Sequence, residues 1–202
     1  MTETPRAAAP GVPDDRFFRG GAPMTKMEVR AVTMAAARLR PTDRVLDVGA
    51  GTGTLSVEAA MLCHQGEVVS LERDPVALKS VGENVARFGL RNVTLLAGVA
   101  PAALSELSDG SFDRVLVGGG GADLAAILEA LPVLLRGGGR VVCNTACLET
   151  TAVAAAALRR PPWDDFACSQ VSVARGVAAG ALLRFESLNP VWVTSAGLEV
   201  AP

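Results

Sequence analysis

The sequence predicts an α/β domain built on a mainly parallel sheet with helices on both faces. Two observations carry this reading. From Arg44 onward short apolar runs alternate with longer stretches of helical period, and the first apolar run opens through a glycine-rich turn directly into a helix. The chain has 202 residues, half of them apolar and a fifth charged, which suits one folded domain and excludes global disorder.

Met1 to Val12 is rich in proline and alanine and has no apolar period. It reads as a flexible lead or interdomain linker over residues 1–12, with the folded domain spanning 13–202. A linker at this place would make the chain the C-terminal part of a longer protein. Thr25 has the chemistry of a helix N-cap, with Glu28 as its capping-box partner. Val29, Val32, Thr33, Ala36 and Leu39 follow at helical spacing, and Pro41 stops the helix. Arg44–Val48 reads as a buried strand, Thr54–Cys63 as a helix and Glu67–Glu72 as a strand. Pro75–Phe88 reads as a helix with Gly89 as its C-cap. Asn92–Ala97 is a strand, Ala102–Leu107 a short helix and Asp113–Val117 a strand. Asp123–Leu135 is a helix closed by the glycines at 137–139, Arg140–Thr145 a strand and Thr150–Arg159 a helix. Two β segments near 165–174 and 182–195 form a closing hairpin. The whole is a seven-stranded sheet with a C-terminal antiparallel strand.

The charge balance excludes some partners. A net charge of −2 and a pI near 5.5 lack the basic footprint of a general nucleic-acid binder. No apolar run reaches the roughly 18 residues that span a bilayer. Residues 1–23 lack the apolar core of a secretory signal, so the expected compartment is the cytoplasm. The four cysteines form no C-x-x-C pair and the single histidine is His64, so no metal site is expected. The cysteines read as small buried side chains in a reducing compartment.

Ligands of such sheets bind where the first strand ends. Here Val45-Leu46-Asp47-Val48 delivers Gly49-Ala50-Gly51-Thr52-Gly53 into a helix. A dinucleotide fingerprint would read G-x-G-x-x-G with a diphosphate at the helix start. This loop is G-x-G-x-G, and Thr54 stands where the third dinucleotide glycine belongs. Asp47, two positions before the first glycine, is poorly placed for a diphosphate and suits a cofactor carrying an ammonium group and a sulfonium. That cofactor is S-adenosylmethionine. Glu72 ends the second strand, twenty-one residues after Gly51, where a carboxylate accepts both ribose hydroxyls. Together these features predict a class I methyltransferase (Rossmann-like) fold. The adenine is expected beside Val99 and Ala100. Val99 cannot accept from the adenine amino group as an aspartate would, so backbone groups must substitute.

The acceptor leaves fewer marks. The Asn/Asp-Pro-Pro-aromatic motif of base amine methylation is absent, and with six Phe, two Trp and no Tyr a clamp for a flipped base is hard to build. Gly118-Gly119-Gly120-Gly121 suits either the close approach of a large flat group or a tight turn. A methyltransferase of a protein or RNA acceptor is the competing reading, and the net acidity argues against RNA.

The chain resembles the decarboxylating, C15-methylating domain of the precorrin-6Y C5,15-methyltransferases of cobalamin biosynthesis. The resemblance rests on Val12-Pro13-Asp14-Asp15-Arg16-Phe17, Met24-Thr25-Lys26-Met27-Glu28-Val29-Arg30, Asp47–Gly53, Asn92-Val93-Thr94-Leu95 and Gly118–Gly121. It continues through Leu148-Glu149-Thr150, Ala174-Arg175-Gly176 and Asn189-Pro190, covering nearly everything from Pro13 to about residue 195. It implies a tetrapyrrole (precorrin) acceptor, methylation at C15 and loss of CO₂ from the C12 acetate. It also implies a homo-oligomer, a tetramer, and a C5-methylating partner that is often an N-terminal domain of the same polypeptide. Thr25 resembles the family's cofactor-contacting threonine.

Such an acceptor carries many carboxylates, so cations are expected in the cleft. Arg30 and Arg175 are the candidate clamps, each with a structural ion pair as its alternative. Lys26 is a weaker candidate whose alternative is a solvated helix face. Gly119 and Glu149 are expected near the acceptor, with a helix start as the alternative, and the favoured one, for Glu149. No catalytic dyad is evident, which fits chemistry driven by the substrate's own electron-rich macrocycle.

Overall fold

The computed structural model describes residues 9–118 and 120–200. After a short 3₁₀ turn at Asp14–Arg16, the elements are α1 (Met27–Ala37), β1 (Arg44–Val48), α2 (Thr54–Leu62), β2 (Glu67–Glu72) and α3 (Pro75–Arg87). Then come β3 (Val93–Ala97), β4 (Phe112–Gly118), α4 (Leu124–Leu134), β5 (Leu135–Thr145) and α5 (Leu148–Leu158). Four strands close the chain: β6 (Trp163–Val171), β7 (Ala174–Ala179), β8 (Leu182–Ser187) and β9 (Val191–Leu198).

Seven strands form one sheet in the order β3-β2-β1-β4-β5-β9-β6, and β7 pairs with β8 in a separate two-stranded sheet. β1 pairs in parallel with both β2 and β4, so the strand order reverses direction at β1. β9 runs antiparallel between β5 and β6. Because helices cover both faces, successive residues of a strand enter opposite cores. Leu46, Val48, Val115 and Val117 pack with α4 and α5. Val45, Leu116 and Val142 pack with α1 and α2. Among the described residues, no helix is long and apolar enough to cross a membrane.

Several elements depart from expectation. Thr25 does not cap α1; Lys26 occupies the cap position without a side-chain hydrogen bond. The Met27 amide instead donates to Asp14 Oδ1 at 2.9 Å, and Glu28 turns to Arg175. The domain also starts before Pro13. The amides of Gly11 and Val12 donate to the Glu58 carboxylate, and Val12 is buried, so these residues are anchored rather than linker-like. The rest of the expected lead, residues 1–8, lies outside the described residues. The glycines at 137–139 do not end α4. They sit inside β5, whose pairing with β4 jumps from Leu135↔Phe112 to Arg140↔Arg114, so the extra residues bulge out of the ladder. The two β segments expected at the C-terminus are four strands. A turn at Gly180 (φ 63°) separates β7 from β8, and Pro190, which has no amide donor, stands in the break before β9.

Candidate active site

The glycine loop lies at the C-terminal end of β1, where the strand order reverses. Its backbone is drawn tightly against its surroundings. A Cβ on Gly49 (φ 75°) would sit 2.5 Å from the Gly118 carbonyl oxygen, so the ends of β1 and β4 touch through backbone alone. A Cβ on Gly51 (φ 58°) would sit 2.9 Å from the carbonyl oxygen of Pro23, in the segment that leads into α1. The Gly49 amide donates to the Leu71 carbonyl at 2.9 Å, and the Thr52 amide to the Pro23 carbonyl at 3.3 Å.

Glu72 organises this corner. Its Oε2 accepts the Gly51 amide at 2.8 Å, and its Oε1 accepts the amides of Arg73 and Asp74, both at 2.9 Å. One carboxylate thus ties the glycine loop to the end of β2 while lining the cleft. Asn84, on α3, was not anticipated from the sequence. Its amide donates to the carbonyls of Thr52 and Phe18 and its Oδ1 accepts the Phe18 amide, locking the N-terminal segment to the loop.

Asp47 does not face the cleft as expected. It is fully buried behind the loop, where Ser56 donates to its Oδ2 at 2.5 Å and Ser70 donates in turn to Ser56. Its Oδ1 has no hydrogen-bond partner among the described residues. Burial pushes its carboxyl up to about 6, against the Ser56 hydrogen bond and with help from the Glu72 charge.

A cavity of about 1030 Å³ opens at this sheet edge. One half is walled by Leu71–Asp74, Ala77, Gly98 and Ala100, from the β2 and β3 side. The other is walled by the Pro23–Lys26 segment, Gly118, Asn144, Thr145 and the Ser187–Asn189 loop, from the β4, β5 and β9 side. Of the expected cofactor residues, Gly49, Ala50, Gly51, Glu72, Ala100 and Thr25 line the cavity. Thr52 is buried beneath it, and Gly53 (φ 75°) is the left-handed N-cap of α2. Val99 is exposed and off the wall. Gly119 lies outside the described residues. Among those described, no group of three His, Cys, Asp or Glu is placed to hold a metal ion. Cys63 and Cys143 are buried as expected, but Cys147 and Cys168 are exposed.

The expected acceptor clamps are committed elsewhere. Arg30 is wholly buried. Its Nε donates to Glu58 Oε1 and its Nη1 to Asp14 Oδ1, both at 2.8 Å, and it also donates to the carbonyls of Thr25 and Val12. With so many donors spent, it cannot reach a ligand. Arg175, on β7, holds Glu28 through Nε (3.0 Å) and Nη2 (2.6 Å) and holds Asp14 Oδ2 at 2.8 Å. It is not on the cavity wall. Burial opposes the charge on Asp14, but the two guanidiniums prevail and hold its carboxyl below the usual range. The Arg175 bonds depress Glu28 likewise, and Glu28 and Asp14 raise the guanidinium in return. Glu149 stands exposed in the first turn of α5, off the cavity wall, and fits the helix-start alternative.

No motif marks Asn144 in the sequence; its one signal is a polar residue next to the end of an apolar strand. Its Nδ2 lies 3.0 Å from Thr33 Oγ1, which fixes its side chain at the cleft wall.

This strand order, with one antiparallel strand beside the edge and a glycine loop at the reversal, defines a class I methyltransferase domain. A family model described as the precorrin methyltransferase domain matches residues 16–196, and the chain belongs to that family. The cobalt-precorrin-6B C(15)-methyltransferase (decarboxylating) of Salmonella typhimurium is 35% identical over 181 residues, covering 89% of this chain and 92% of the relative. The crystal structure of precorrin-6Y C5,15-methyltransferase from Geobacter metallireducens superposes with a TM-score of 0.85 at 36% identity, covering 93% of this chain and 96% of that one. The precorrin 8W decarboxylase of Methanobacterium thermoautotrophicum superposes at 0.84 with 35% identity, covering 93% and 100%.

Proposed function

We propose that the chain methylates C15 of a precorrin with S-adenosylmethionine and removes CO₂ from the C12 acetate. The observation that carries this reading is the two-part cleft at the strand-order reversal, in a chain of the precorrin methyltransferase family. The residues present fit the cofactor. The glycine loop leaves a backbone-lined floor, Glu72 lies where ribose hydroxyls would meet a carboxylate, and Ala100 lies on the adenine side. When bound, S-adenosylmethionine supplies a methyl group on a sulfonium.

The chain's own task is alignment and exclusion of water. Glu72 and the loop amides set the cofactor half. Asn144, Thr145 and Asn189 give the acceptor half neutral hydrogen-bonding groups. An electron-rich tetrapyrrole carbon needs no strong protein base to accept a methyl group. The same macrocycle takes up the electron pair left by the departing CO₂.

Three finer readings accompany this. The enzyme works in the cytoplasm. It assembles as a homo-oligomer, a tetramer, a reading supported by the exposed Leu182, Leu183 and Phe185 of the β7–β8 hairpin. A C5-methylating protein, separate or fused at the N-terminus, acts beside it. The test is incubation with S-adenosylmethionine and either precorrin-6B or cobalt-precorrin-6B, followed by product mass. Gain of one methyl and loss of CO₂ is the expected result. An unchanged mass with both acceptors, despite normal cofactor binding, would overturn the assignment.

A further inference from the structure

We propose that Lys26 is the cation that fixes a peripheral carboxylate of the acceptor. The inference rests on the acceptor class proposed above. It follows from where charge is spent and where it is left. Arg30, four residues after Lys26, and Arg175, bonded to Glu28, are consumed by Asp14, Glu28 and Glu58. Among the described residues, two cations line the cavity, Lys26 and Arg73. The sheet order separates them. Arg73 follows β2, on the cofactor side of β1, next to the Glu72 corner. Lys26 precedes α1, which packs over β4, β5 and β9, on the opposite side.

On that side the other wall groups offer a carboxylate at most neutral hydrogen bonds: Thr25, Asn144, Thr145, Ser187 and Asn189. Lys26 is half-buried and forms no ion pair among the described residues. Its backbone is extended (φ −68°, ψ 151°), and both neighbours are pinned: the Thr25 carbonyl accepts from Arg30 and the Met27 amide donates to Asp14. The buried network therefore fixes the base of Lys26 while leaving its ammonium unclaimed. A flexible stem with three donors suits a single carboxylate on the rim of a large ring. Asp123, on the same cavity wall, is the nearest competing charge by sequence to the glycine run and disfavours an anion there. This steers the carboxylate towards the α1 side.

The test compares Lys26→Met and Lys26→Arg with the unaltered protein in three measurements. These are the Kd of S-adenosylhomocysteine, the KM and kcat for the precorrin acceptor, and the fluorescence-titrated Kd of uroporphyrin, a stable polycarboxylate tetrapyrrole. Lys26→Met is expected to raise the acceptor KM and the uroporphyrin Kd by about tenfold and to flatten their salt dependence. S-adenosylhomocysteine binding and kcat should stay within about twofold, and Lys26→Arg should recover most of the loss. An unchanged KM and uroporphyrin Kd in Lys26→Met would overturn the role of Lys26 while leaving precorrin turnover intact. Absence of turnover in the unaltered protein would instead sink the functional reading. In that event, tenfold weaker uroporphyrin binding by Lys26→Met still supports the anchor, and equal or absent binding overturns it.

Discussion

The two halves of the cleft are made of different material. The half proposed for the cofactor is backbone held by one carboxylate: Glu72 gathers three amides, and the glycine loop rests against Pro23, Leu71 and Gly118. The half proposed for the acceptor is walled mostly by neutral polar side chains, with Lys26 and Asp123 as its charges, and the cluster of Asp14, Glu28, Arg30, Glu58 and Arg175 holds the segment that carries Lys26. The difference teaches that charge near a site and charge in a site are separate quantities. The arginines here determine where α1 begins and how the β7–β8 hairpin attaches to it. The wall they support then carries Lys26.

The strongest way to break this comparison is Arg30→Met. It leaves the buried Glu58 without an ion-pair partner among the described residues and Asp14 with Arg175 alone, and should cost about 3–5 kcal/mol in urea unfolding at neutral pH. A loss below about 1 kcal/mol would show that the cluster does not hold the wall.

Asp47 sharpens the same contrast through pH. Its folded-state value, about 6, lies above that of the unfolded chain. Between pH 4 and 6 the native state therefore binds the extra proton, and the free domain gains stability as pH falls through that window. The change is on the order of 2–3 kcal/mol. Asp47→Asn should remove that slope in a series of thermal unfolding curves.

Glu72→Ala tests the cofactor half alone. Loss of a charged acceptor for three amides should weaken S-adenosylhomocysteine binding by about 1.5–3 kcal/mol, roughly 10- to 150-fold by calorimetry. Circular dichroism should remain native.

The smallest effect is expected from Arg175→Gln, because its guanidinium is partly exposed and Asp14 keeps Arg30. About 1 kcal/mol should be lost at pH 7. Asp14 and Glu28 are depressed in the folded state, so the stability they contribute is present above their ordinary values and disappears as pH falls below about 4. The substitution weakens that depression, and acid unfolding should begin at a higher pH.

The legibility of these regions in the sequence follows the same divide. β1, β2 and β4 are buried on both faces, so they read as short apolar runs broken only by single polar positions such as Asp47 and Ser70, and the loop after β1 announces itself through glycine spacing. The Thr25–Glu28 capping box was plausible locally but lost to a longer-range bond, Met27 to Asp14. Arg30 and Arg175 are likewise claimed by carboxylates distant in sequence. Arg175 meets Asp14 across 161 residues of sequence, a pairing that no local pattern encodes. The closing segments pair antiparallel as expected, through β6 and β9, but the β7–β8 pair between them is not legible because β8 exposes Leu182, Leu183 and Phe185, so its apolar residues do not mark a core. Asp47 was placed on the right strand, but nothing in its spacing tells that its side chain packs behind the loop with Ser56 and Ser70.

The measurement that bears most directly on the account is the position of the transferred carbon. The purified chain is supplied with S-adenosylmethionine carrying a ¹³C methyl and with the precorrin acceptor, and the product is read by ¹³C spectroscopy while released CO₂ is measured. The account predicts one label on ring carbon C15 for each CO₂ released. Label on a nitrogen, an oxygen or another ring carbon, or methylation without CO₂ release, would contradict it.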